Sequence, residues 1–78
     1  MTTKAITVIS CHPFSGRAFP VDFTMKNQFL MVGNNVIVNV EFSGNVANLT
    51  GYRPDGSKFT SKLHLLSTDA ESLRRFVQ

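Results

Sequence analysis

Between Val36 and Leu66 apolar residues recur at every second position, with Val36, Val38, Val40 and Phe42 before one turn and Leu49 and Leu63 beyond it. This is the period of strands that bury one face. Two turns organise the stretch. Arg53-Pro54-Asp55-Gly56-Ser57 supplies a preset φ at Pro54, a turn-tolerant Asp55 and a glycine for the left-handed position. It predicts a type I turn closed by a G1 bulge, with Arg53 opposite Ser57. The ladder behind it pairs Tyr52 with Lys58, Gly51 with Phe59, Thr50 with Thr60, Leu49 with Ser61, Asn48 with Lys62 and Ala47 with Leu63. Ser43-Gly44-Asn45-Val46 carries the Gly-Asn pair of a II′ loop and places Phe42 opposite Ala47, Val40 opposite Leu49 and Val38 opposite Gly51. Both hairpins select the same apolar face, and a one-residue slip at either would split it. Phe59 falls beside Gly51, where an aromatic ring can cover a strand position that lacks a side chain.

Upstream, Lys4 to Cys11 is rich in β-formers and reads as a first strand. His12-Pro13-Phe14-Ser15-Gly16-Arg17 breaks it, because Pro13 lacks a donor and Ser15-Gly16 is a turn pair. Phe19, Val21, Phe23 and Met25 alternate with Pro20, Asp22, Thr24 and Lys26, a second strand in which Pro20 calls for an edge position or a bulge. A three-residue loop at Lys26-Asn27-Gln28 and a two-residue loop after Val32 would keep Phe23, Phe29, Met31 and Val38 on one face. At the C-terminus, Thr68-Asp69-Ala70-Glu71 has capping-box spacing, and Leu73, Phe76 and Val77 follow at helical intervals with Arg74 and Arg75 in the last turn. The expectation is an α+β fold: an antiparallel meander of five to six strands with one short helix packed on the apolar face. A partly closed small barrel is the alternative, decided by pairing between the first and last strands.

A chain of 78 residues makes one domain, residues 1–78, with a core that has to be continuous to suffice. An apolar fraction of 42% with 17% charged residues excludes a disordered tail or an extended coiled coil. One cysteine, Cys11, cannot make an internal disulfide, which points to a reducing compartment. Val8-Ile9-Ser10-Cys11 loosely resembles a lipoprotein cleavage box, but the apolar stretch before it is too short for a signal segment, and no stretch is long enough to span a bilayer. The expected location is the cytoplasm, with no membrane partner. The net charge of +3 is scattered over eight basic residues with no block of like charge, so it favours polyanions only weakly.

Candidate chemistry is thin. Cys11 and His12 are adjacent on a strand and point to opposite faces, so with distant His64 they do not form a thiolate-imidazole pair, nor do they have the spacing of a zinc site. Asp55, Asp69 and Glu71 have structural duties, which leaves Asp22 and Glu41 as the only acids free to pair. No phosphate-cradling glycine run occurs. No enzyme activity, metal or cofactor is expected.

What remains is the face opposite the apolar one, which would present Ile37, Asn39, Glu41, Asn48, Thr50, Tyr52, Lys58, Thr60, Lys62 and His64. The reading is a small non-enzymatic binding protein that sterically occupies a larger protein or complex, in the manner of phage or plasmid accessory inhibitors such as those of host defence complexes. Tyr52, Lys58, Lys62, Thr60, Asn48, Ile37 and His64 are the expected partner-binding residues. The alternative is a single-stranded RNA- or DNA-binding module using the same face. Second-choice surfaces are the loop with His12, Phe14 and Arg17 and the helix end with Arg74 and Arg75. A free strand edge would also allow a homodimer.

Overall fold

The computed structural model describes residues 4–78. Six strands follow in chain order: β1 (Lys4–Cys11), β2 (Ala18–Lys26), β3 (Phe29–Val32), β4 (Asn35–Ser43), β5 (Val46–Tyr52) and β6 (Lys58–His64). The chain ends in a helix, α1 (Ser67–Val77). Each strand pairs antiparallel with the next, so the sheet order is the chain order. The sheet curls into a half-barrel whose ends meet at one point, a bridge between Ser10 and Leu65. The buried Ser10 hydroxyl accepts the His64 amide there at 3.2 Å. Asp69 of the helix accepts the outward Ile9 amide of β1 at 3.0 Å. The seam between first and last strands is therefore made by side chains and one bridge.

The two downstream turns have the predicted geometry. Every β5–β6 partner from Tyr52–Lys58 to Ala47–Leu63 is in the expected register. The Gly56 amide donates to the Arg53 carbonyl at 2.9 Å, the Arg53 amide to the Ser57 carbonyl at 2.8 Å, and Gly56 has φ 89°. Asp55 Oδ1 accepts from the Ser57 hydroxyl at 2.6 Å and its amide at 2.9 Å, and these bonds hold the carboxyl below its ordinary 3.8. With the folded value lower than the unfolded one, the turn's contribution is present above the ordinary value and lost as pH falls through the folded one. Space around Gly56 is open, so the cost of Gly56→Ala is purely conformational. A loss of roughly 1 kcal/mol is expected, read as a lowered midpoint in thermal denaturation.

Upstream the register departs from expectation at two points. Lys26 pairs with Phe29, so the first loop has two residues, Asn27 and Gln28, both at positive φ, the I′ geometry. One residue fewer turns β3 over: Leu30 enters the core, while Phe29 is 59% exposed and Met31 faces outward. In β4 a bulge lies between Ile37 and Asn39, so Ile37, not Val38, sits opposite Gly51. Val38 is left unpaired and 61% exposed, and Val36 joins the outer face. Below the bulge Val40 and Phe42 keep the predicted inward phase, opposite Leu49 and Ala47.

The core lies inside the curl: Val8, Phe23, Leu30, Ile37, Ala47, Leu49, Leu63 and Leu65 from the sheet side, closed by Ala70 and Leu73 of the helix. Phe76 and Val77 extend that stripe. The helix starts one residue before the predicted cap: Leu66 is the extended N-cap residue, and no side-chain capping bond forms. Thr68 lies within the first turn, Asp69 serves β1, and Glu71 pairs with Arg75 at 3.4 Å. Pro20 lies in the part of β2 that extends past the end of β3, whose pairing stops at Phe23–Val32. Because the Ile9 amide opposite it points away from β2, the proline nitrogen faces the side where no strand follows.

Candidate functional site

Four cross-strand rows cover the outer side of β3 to β6, and the ladders set their order. Met31, Val36, Tyr52 and Lys58 form the first. Asn39, Thr50 and Thr60 form the second, Glu41, Asn48 and Lys62 the third. Ser43, Val46 and half-buried His64 end the face beside the Ser10 seam. The surface runs from an apolar and aromatic row at Met31–Val36–Tyr52, bordered by Lys58 on β6, through uncharged polar groups to charged groups at Glu41 and Lys62. Tyr52 is 50% exposed, and Phe29 lies on the same side next to Met31. Helix α1 packs inside the curl, so no element among the described residues covers this face.

Of the predicted binding residues, the structure brings together Tyr52, Lys58, Thr60, Asn48 and Lys62 on one surface. Ile37 is not among them. The β4 bulge turns it into the core at 6% exposure, and its place beside Tyr52 is taken by Val36. Met31, Val36 and Phe29 are the residues that sequence reasoning missed. For Val36 the signal was the unbroken run Val36-Ile37-Val38, since three consecutive strand residues cannot all face one core, with Gly51 on the facing strand marking a close backbone approach.

The second-choice surfaces separate. In the loop between β1 and β2, His12 Nδ1 accepts the Phe14 and Ser15 amides, each at 3.3 Å, and the His12 amide donates to the Arg17 carbonyl at 2.7 Å. His12 is thus an internal brace, and it leaves Phe14 94% exposed at the tip. At the helix end, Arg74 is committed inward: it donates to the Gly44 carbonyl at 2.6 Å and lies over the Phe42 ring at 4.9 Å. Arg75 is engaged with Glu71 on the exposed side, so the two arginines do not form one patch.

Glu41 accepts from the Asn39 amide group at 3.2 Å, and Thr7 donates to Asp22 at 2.6 Å, which ties up both acids that had no structural duty in the sequence. Among the described residues no three His, Cys, Asp or Glu side chains converge as metal ligands, and no helix is long and apolar enough to cross a membrane. Comparison of the chain with protein-family models, curated proteins and solved structures gives no match.

Proposed function

We propose that this is a non-enzymatic binding protein that acts by occupying a surface of a larger protein with the outer face of its sheet. The observation that carries the reading is the Met31–Val36–Tyr52 row, apolar and aromatic side chains in register on a face that no element among the described residues covers. An apolar centre bordered by polar and charged groups is the anatomy of protein interfaces, and tyrosine is a frequent anchor. The molecule's longer dimensions, 35 and 26 Å, leave room on one face for the roughly 800 Å² per partner of a standard interface. Single-stranded nucleic acid would favour several stacking rings along a basic track. Here Glu41 stands in the same row as Lys62, which interrupts any such track. An accessory-inhibitor role of the kind phages and plasmids encode is the biological form of this proposal.

The test compares two variants against a captured partner. Tyr52→Ala is expected to weaken binding by about 2 kcal/mol, roughly thirtyfold, as loss of a central anchor. Lys58→Glu combined with Lys62→Glu, at the rim, should change binding less and act mainly on the association rate. The reverse ranking, with a steep salt dependence abolished by the lysine changes, would instead show a polyanion ligand.

A further inference from the structure

The half-barrel is open at one end, and the opening has a specific cause. Pairing Ser10 with Leu65 antiparallel carries β1 toward the helix in one direction and out of the sheet in the other, because Cys11 is its last residue and Pro13 follows. Most of β6 therefore runs alongside no strand of the described residues on its outer edge. The backbone groups on that edge can be assigned. The Arg53 amide bonds the Ser57 carbonyl, so alternate residues Phe59, Ser61 and Leu63 direct their backbone groups to β5. Those of Lys58, Thr60, Lys62 and His64 point away. The His64 amide agrees, being the one taken by Ser10.

Both ends of this edge are already occupied. Arg53 Nη1 donates to the Lys58 carbonyl at 2.6 Å, its guanidinium lying over the Phe59 ring at 5.7 Å, and Ser10 holds the His64 amide. Between them, the amides and carbonyls of Thr60 and Lys62 have no partner among the described residues. Inside the curl at this point lies a groove of about 360 Å³, walled by Phe19 and Val21 of β2 on one side and by Phe59 and Leu63 of β6 on the other, with Val32 and Leu49 between. On the outer side Lys58 and Lys62 are exposed, and neither makes an ion pair: the one such pair among the described residues is Arg75–Glu71.

The geometry points to a strand-acceptor site: the β6 edge at Thr60 and Lys62 binds an extended segment of a partner protein in which apolar and acidic side chains alternate. The main chain of the segment would bond the two free residues of the edge. Its apolar side chains would enter the groove, and its carboxylates would lie on the outer side next to Lys58 and Lys62. A second copy of the chain is a poor occupant, because two β6 edges paired antiparallel about Thr60 set Lys58 of each opposite Lys62 of the other. Lys58, Thr60 and Lys62 border both this site and the outer face, but the edge amides and the groove involve none of Tyr52, Val36 and Met31, so Tyr52→Ala tells the two apart.

The test is a titration of the isotope-labelled full chain with a capped synthetic peptide of about seven residues in which valine alternates with glutamate. Binding should slow exchange of the Thr60 and Lys62 amides and shift the groove residues Phe59 and Leu63. Thr60→Pro removes an outward amide without touching the β5 ladder, and it should weaken the peptide by about tenfold. Lys58→Glu with Lys62→Glu, surface changes that leave the fold intact, should reverse the preference toward a valine-lysine peptide. Tyr52→Ala should leave peptide binding unchanged. The proposal is overturned if the peptide binds without protecting the Thr60 and Lys62 amides, or if the charge reversal leaves the preference as it was. It is equally overturned if a small apolar dye fills the groove while no peptide binds, or if sedimentation shows self-association that Thr60→Pro abolishes.

Discussion

Gly51→Ala is expected to cost about 3 kcal/mol, more than any other glycine substitution in the chain, and to lower the melting midpoint by roughly 15 °C. A Cβ at this position would be driven into the Val36 carbonyl oxygen, with Ile37 Cα at 2.9 Å. These are backbone atoms of the adjacent strand at the foot of the β4 bulge, so nothing flexible is available to yield. The strain at Gly56 is different in kind, because open space surrounds it and only φ is wrong for alanine. Chemical denaturation of both variants ranks the two effects. Equal and small losses would mean that β4 does not approach β5 so closely, and that Ile37 is not where the bulge puts it.

Phe23→Ala is expected to cost about 3–5 kcal/mol, whereas Phe29→Ala should stay within about 0.5 kcal/mol of the parent. Phe23 is wholly buried opposite Ile6 on β1 and Val32 on β3, at the centre of the curl. Truncating it leaves a cavity that two paired strands cannot collapse to fill. A domain of this length has about 4–12 kcal/mol of stability in all, so the variant should be largely unfolded at moderate denaturant. Phe29 has the same side chain and lies outside. The contrast tests the phase of β3, since a three-residue loop before it would make Phe29 the costly residue and Leu30 the harmless one.

That phase shows why part of the fold was legible in the sequence and part was not. The turn at Pro54-Asp55-Gly56 has one geometry that suits those three residues, and the whole β5–β6 register follows from it. Gly44-Asn45 behaves likewise, with positive φ at Gly44 alone of the two. The Asn27-Gln28 loop lacks such a mark, because I′ turns ordinarily use glycine at the position where Gln28 takes φ 69°. The strand after it, Phe29-Leu30-Met31-Val32, is apolar throughout, so no alternation could correct the loop length. The capping-box motif misled as well: the helix begins at Ser67, which puts Thr68 inside the first turn, and Glu71 pairs with Arg75 instead of turning back to a cap.

The candidate site was legible to the same extent as the ladders that build it. Tyr52, Lys58, Thr60, Asn48 and Lys62 came from the well-signalled hairpin and do share a face. Ile37 came from β4 above the bulge and was assigned to the wrong side. Its exchange for Val36, together with the turning over of β3, keeps an apolar neighbour beside Tyr52 and extends that row to Met31. The loss of Arg74 to the Gly44 carbonyl and the Phe42 ring weakens the helix end as a competing surface.

The most direct test of the central proposal is affinity capture from cells of the organism that encodes the chain, with nuclease-treated extracts and with wild type and Tyr52→Ala handled in parallel. The expected result is one defined protein or complex held by the wild type, still bound after nuclease treatment and lost with Tyr52→Ala. Recovery of nucleic acid alone, or a partner retained equally by both proteins, would contradict it.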